Sequence, residues 1–156
     1  MSIQSQAKMF LSQKRIAVVG VKRKPGTGNA ILKALRKRGY DVVPINPNAS
    51  ELEGEKCFSN LREVDRGIDA VVIATRPEVA EAVVKDCVEA VVSYVWMHYN
   101  ALFGAKSSSV SEAAVSYGRE NGLDVIAGGC PLMFGEGADF GHRCMKWWLG
   151  VTGKLP

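Results

Sequence analysis

Histidine occurs only twice in this chain, at positions 98 and 142, and the four cysteines stand far apart at 57, 87, 130 and 144 with no Cys-x-x-Cys pair. Such spacing gives no indication of a structural zinc site. Scattered thiols of this kind read as reduced cysteines of a cytoplasmic protein, not as a disulfide framework. No apolar run is long enough to span a bilayer. The opening residues, Met-Ser-Ile-Gln-Ser-Gln-Ala-Lys, lack the apolar core of a signal peptide. Internal repeats and low-complexity segments are also missing. Acid is nearly absent from the first third. Residues 1–50 hold ten Lys or Arg and one acid, Asp41, for a net of +9, whereas residues 51–156 hold ten and fifteen, for a net of −5. Positive charge gathered in one stretch suits a polyanionic ligand. Between residues 14 and 38 no aromatic side chains interleave with the cations, so a stacking platform for nucleic acid is not evident.

What is present is an ordinary globular composition. The 156 residues are 47% hydrophobic and 23% charged, enough for one domain with a sizeable core. Ile3, Ala7, Phe10 and Leu11 recur at helical spacing and predict a short helix over 3–12. A strand follows at 15–20, then a helix over 27–38 with Ile31, Leu32 and Leu35 inward and Gly39 at its end. Asp41–Asn46 reads as a second strand, and Pro44 argues for an edge or irregular position. Asn46-Pro47-Asn48 is a turn signal, followed by a polar loop and a short helix around Asn60–Val64. The unbroken apolar run at 69–74 implies a strand buried on both faces, as in parallel sheets. A helix over 77–89 opens on Pro77. Strands at 91–97 and 123–127 flank a loop at 98–108 and a helix at 109–121, and a helical tail occupies 136–150. Strands alternating with helices at this spacing predict an α/β fold: a Rossmann-like, doubly wound parallel sheet of about five strands in a single domain over 1–156. Ligands of such sheets bind at the carboxyl ends of the strands, where the strand order reverses.

The most informative stretch is Ile16-Ala-Val-Val-Gly-Val-Lys-Arg-Lys-Pro-Gly-Thr-Gly. A β-type run ends at Gly20, a basic turn follows, and a helix opens near Thr27. Backbone N–H groups at a helix start point outward unpaired, and the helix dipole favours negative charge there. Lys22, Arg23 and Lys24 add three cations. A phosphorylated cofactor is therefore the first expectation. The glycines at 20, 26 and 28 do not match Gly-x-Gly-x-x-Gly, and no acid follows the second strand to hold a ribose, which disfavours NAD. NADP could use the cations, but no hydride chemistry is visible. The P-loop spacing is absent as well. Lys33, Arg36, Lys37 and Arg38 read as the solvated face of a helix.

The same stretch, followed by Gly39-Tyr-Asp-Val-Val-Pro-Ile-Asn-Pro-Asn, Leu52-Glu-Gly-Glu-Lys-Cys-Phe-Ser-Asn-Leu, Asp69-Ala-Val-Val-Ile-Ala-Thr-Arg-Pro and Val95-Trp-Met, resembles the small stand-alone CoA-binding proteins. The resemblance covers roughly residues 14–131. It implies a fold similar to the N-terminal CoA-binding domain of the succinyl-CoA synthetase alpha subunit, which holds CoA while the phosphorylated histidine lies in a second domain. No room remains for that second domain, so the resemblance implies binding of coenzyme A or an acyl-CoA without ligase activity. Carried over, Gly20, Val21, Lys22, Arg23, Lys24, Pro25 and Gly26 would hold the CoA phosphates. Asn46 and Pro47 would flank the adenosine part. Thr75, Arg76 and Pro77 would lie across the third strand end, and Cys130 would stand in a turn near the cofactor. Two departures are visible: Val21 where the family usually has Ala, and a segment 98–111 longer than in many members. CoA carries about four negative charges near neutral pH, which suits the +9 first third.

Signals for chemistry are few. His98 reads first as a loop histidine bonded to backbone; the alternative is an acid or base facing the cleft. His142 reads as structural or exposed. Cys130, in Gly128-Gly-Cys-Pro, is by default a buried small apolar side chain. Alternatively, turn N–H groups lower its pKa and it forms a mixed disulfide with the CoA thiol. Trp147 and Trp148 cannot both face one core, which leaves one of them to pack on another subunit and makes a homodimer compatible with the sequence. Three functions compete: a CoA-binding module with no catalytic residues of its own, an NADP- or acyl-CoA-dependent enzyme using His98 or Cys130, and a nucleotide-sensing regulatory subunit.

Overall fold

The computed structural model describes residues 1–100 and 108–156. In chain order the elements are α1 (Ile3–Leu11), β1 (Arg15–Val19), α2 (Thr27–Lys37), β2 (Asp41–Ile45), β3 (Glu51–Leu52), β4 (Glu55–Lys56), β5 (Ala70–Ile73), α3 (Pro77–Glu89), β6 (Tyr94–Met97), α4 (Glu112–Glu120), β7 (Asp124–Ala127) and α5 (Phe140–Val151). Single 3₁₀ turns lie at Leu61–Glu63 and Pro131–Met133. Five strands form one parallel sheet in the order β2-β1-β5-β6-β7. Side chains alternate across it, as the strand period of two requires. Ile16, Val18, Val72, Trp96 and Ile126 pack on one face with Phe10 of α1, Ile31 and Leu35 of α2 and Leu149 of α5. Ala17, Val71, Val95 and Val125 pack on the other with Val84 of α3 and Ala114 of α4. The chain is thus a three-layer, doubly wound α/β fold, as the alternation of elements implies. Trp96 anchors the first layer: its ring lies edge-on to Phe10 at 5.3 Å, and its indole N–H donates to the Gly128 carbonyl at 2.9 Å.

Sequence and structure agree at Pro44 and part at particular places after it. Pro44 sits in β2, the edge strand, where its missing N–H breaks no central ladder. The polar loop after β2 contains an antiparallel hairpin of β3 and β4, turned at Glu53 and Gly54 with φ of 54° and 78°. The strand expected from Val91 starts at Tyr94. Residues 90–92 instead close α3: the Val91 N–H donates to the Val88 carbonyl and the Val92 N–H to that of Cys87, a Schellman arrangement with Val91 left-handed at φ 57°. Most of the loop expected at 98–108, residues 101–107, lies outside the described residues, and so does half of the segment 98–111.

Candidate functional site

The sheet order reverses between β1 and β5. From β1 the chain moves to β2 on one side and later to β5 on the other, so a crevice opens at their carboxyl ends. Two glycines let the backbone close around it. Gly20, at φ +105°, leads the chain away from β1, and a Cβ built there would lie 2.4 Å from the Ala74 carbonyl oxygen. A Cβ on Gly28 would lie 2.5 Å from the Gly20 carbonyl oxygen, so the first turn of α2 is pressed directly on the end of β1. Gly26 is the N-cap of α2 and offers no side chain to its N–H groups, and the first turn carries no acid. The positive end of α2 therefore faces the crevice with no acid in its own first turn.

The cleft holds about 160 Å³ and is bounded by Lys22, Thr27 and Gly28 on one side and by Thr75 and Arg76 on the other. His98 and Ser109, 4% and 2% exposed, form its third wall. His98 is fixed through its main chain: its N–H donates to the Ile73 carbonyl at 2.9 Å and its carbonyl accepts from the Ser109 N–H at 2.8 Å. It is both a backbone-bonded loop histidine and a residue of the cleft wall. A second hollow of about 570 Å³ lies beside the cleft between Arg23, Pro47, Asn48 and Phe58. Arg23 reaches across to donate to the Asn48 carbonyl at 2.9 Å.

The basic loop is held in shape by amides. Asn29, 2% exposed, accepts from the Lys22 N–H at 3.1 Å and donates to the Lys22 carbonyl at 2.7 Å. The same amide nitrogen donates to Glu53 Oε1 at 2.7 Å. Asn46 donates to the Val21 carbonyl at 2.8 Å and accepts from the Asn48 N–H at 2.8 Å. Glu53 also meets Lys33 Nζ at 3.0 Å, and Arg36 donates to the Glu53 carbonyl at 2.7 Å and to Glu55 at 3.0 Å. The hydrogen bond from Asn29, then that from Lys33, holds the Glu53 carboxyl below its ordinary pKa. The loop, α2 and the β3–β4 hairpin are therefore one connected unit. Lys33 and Arg36 are more than a solvated face: they clamp that hairpin. Arg38 donates to the carbonyls of Leu132 and Phe134 at 2.9 and 3.1 Å.

Of the residues singled out in the sequence, Gly20, Lys22, Thr75 and Arg76 come together at the cleft, and Arg23 and Pro47 at the adjoining hollow. Lys24 and Pro25 are exposed on the same loop, and Gly26 caps α2. Val21 is wholly buried in the core, so it meets the site only through its main chain. Asn46 is engaged within the protein and positions the loop. Pro77 opens α3 at its first turn. Cys130 is set apart. It is 4% exposed and packs in the layer of Phe10 and Trp96. This is the default reading of a buried side chain; burial pushes its thiol up to about 11, against the alternative in which turn N–H groups lower it. The main-chain N–H of His142 donates to Asp139, the N-cap of α5, at 2.9 Å, and its ring Nδ1 lies 2.7 Å from the same carboxylate. Asn29 and Glu53 were not among the sequence candidates. The only signal for Asn29 is a polar residue on the inward side of an otherwise apolar helix face.

The comparisons agree with this geometry. Uncharacterized protein YneT of Bacillus subtilis is 34% identical over 118 residues, spanning 75% of this chain and 82% of that protein. An ADP-forming acetate–CoA ligase of Methanocaldococcus jannaschii is 33% identical over 75 residues, which span 47% of this chain but 11% of the ligase. The solved structure of a hypothetical protein from Pyrococcus horikoshii OT3 superimposes with a TM-score of 0.74 at 26% identity, covering 84% of this chain and 87% of that one. The family model described as "CoA binding domain" matches residues 14–136, from the start of β1 past the last strand of the sheet, and the chain belongs to that family of CoA-binding domains.

Proposed function

We propose that this protein binds coenzyme A or an acyl-CoA, with the loop 20–26 as the phosphate cradle. The observation that carries the reading is the positive end of α2 at the sheet's switch point. It has no acid in its first turn and has Lys22, Arg23 and Lys24 beside it. The shape of the loop fits such a ligand: glycine at 20 and 28 lets the ends of β1 and β5 and the first turn of α2 meet backbone to backbone, which brings the start of α2 to the crevice. Lys22 and Arg76 would meet the pyrophosphate at the cleft. Arg23, between cleft and hollow, would bridge toward the 3′-phosphate, with Pro47 and Phe58 against the adenosine. Arg can hold phosphate bidentately, whereas Lys acts as a point charge.

The reading assigns holding, not chemistry, to the chain. Cys130 is withdrawn into the core with a raised pKa, which supports a packing role for it. A second reading, an acyl-CoA-dependent enzyme using His98, is favoured by the place of that residue in the cleft wall. Two experiments separate them. Calorimetric titration of Arg23→Glu with CoA is expected to show weaker binding and a flatter salt dependence than the native chain; unchanged affinity removes Arg23 from the site. Incubation of the isolated protein with acetyl-CoA is expected to leave the thioester intact, and turnover that His98→Gln abolishes would establish the second reading.

A further inference from the structure

Helix α5 is apolar on two opposite sides. Leu149, 1% exposed, and Met145 pack inward on the core. Phe140, Cys144, Trp147 and Val151 follow one another at intervals of four, three and four residues, which aligns them in one stripe on the outer side. Phe140, Trp147 and Val151 are 81%, 70% and 68% exposed, and Trp148 flanks them at 42%. Cys144 is exposed among them. Such a stripe has no place on a helix whose outer side faces water alone.

We propose that this stripe is the face on which two copies of the chain associate about a two-fold axis. Area supports the choice. Aromatic side chains bury about 150–250 Å² each, so the four exposed apolar groups present on the order of 500 Å². Two such faces reach about 1,000 Å², the size at which specific interfaces begin. Self-complementarity supports it too. A two-fold interface needs a projecting group and a receiving hollow on the same patch. Trp147 projects, and beside it Met133, Gly150, Val151 and Leu155 line an open hollow of about 870 Å³. A Cβ on Gly150 would meet nothing within 4 Å, so that glycine keeps the groove open next to the tryptophan. On the other side of Trp147, a hollow of about 440 Å³ lies between Phe140, Arg143 and Cys144. No residue of α5 bounds the cleft at the switch point, so association leaves that site accessible.

The test is sedimentation velocity on the intact chain at about 100 μM, a hundredfold above a micromolar dissociation constant. The native protein is expected at the mass of two chains. Trp147→Glu and Phe140→Asp are each expected at the mass of one, and to melt where the native chain melts once diluted to single chains, because both side chains are exposed in the single chain. In the native protein, a short bismaleimide is expected to join two chains through Cys144. A native chain that sediments as a monomer, a dimer that survives both substitutions, or bismaleimide that leaves the chains unjoined would overturn the proposal. A monomer would leave the stripe to a partner of another kind.

Discussion

Asn29 carries the shape of the basic loop, so its removal has a calculable effect. In Asn29→Ala the two hydrogen bonds to the main chain of Lys22 are lost, along with the one to Glu53. Each bond of the first kind contributes about 1 kcal/mol net, so the pair accounts for about 2 kcal/mol. For a domain of this size that is about 4–8 °C in melting temperature. The loop must then be ordered by the ligand itself, and CoA affinity is expected to fall about tenfold, the equivalent of 1.4 kcal/mol. Asn29→Asp is the sharper variant. It keeps an acceptor for the Lys22 N–H but sets a carboxylate against Glu53 Oε1, where the amide stood at 2.7 Å. In the native chain the lowered pKa of Glu53 makes its contribution fully present above the ordinary carboxylate range. That contribution is lost as pH falls through the lowered value. In Asn29→Asp the two carboxylates disfavour each other's charge, so one pKa rises, and the sign reverses: stability is greatest at low pH and falls as pH rises through the raised value. Thermal melts from pH 4 to neutrality on the three proteins, with calorimetry at neutral pH, check this. An Asn29→Ala protein that melts within about 1 °C of the native one, or an Asn29→Asp protein with the native pH slope, would refute the clamp.

Gly28→Ala forces a methyl group to within 2.5 Å of the Gly20 carbonyl, which the backbone can relieve only by moving α2 off β1. A loss of about 2–3 kcal/mol in a denaturant titration and of CoA binding by calorimetry is expected. Val91 holds a left-handed position at φ 57° that a β-branched residue adopts at a cost of about 1–2 kcal/mol, so Val91→Gly is expected to raise the melting temperature by a few degrees. Cys144 is exposed, whereas Cys130, at a pKa of about 11, and Cys87 are buried. Timed alkylation near pH 8 of protein diluted to single chains, followed by mass spectrometry, is expected to mark Cys144 at once and Cys130 only as the protein unfolds. A CoA mixed disulfide at Cys130 of the folded chain would contradict that order.

The sheet was legible in the sequence because its evidence is local. Five apolar runs place all five strands; helical periods after four of them, and one before the first, place the five helices around them. Even Pro44 tells its position in the sheet. The misses have one physical character, for each depends on partners distant in the chain. The β3–β4 turn is Glu53-Gly54, not Asn-Gly or Asp-Gly, and Glu53 is held left-handed by Asn29 and Lys33 of α2, which no turn rule contains. Val91 and Val92 read as strand by side-chain type, while the hydrogen bonds that close α3 decide otherwise. At the site, Lys22, Thr75 and Arg76 were visible as loop residues at strand ends, since topology alone brings strand ends together. Asn29 was not, because its work is done inward. Cys130 is buried, as its default reading has it, because the glycine turn that carries it folds under Trp96 and Phe134.

One titration tests the central claim most directly: calorimetry of the intact chain with CoA and, in parallel, with NADP, at low and high salt. CoA is expected to bind once per chain, with an affinity that falls as salt rises, because the cradle is a cluster of cations at a helix start. NADP is expected to give no saturable heat. Saturable binding of NADP with none of CoA at about 1 mM ligand would contradict the account.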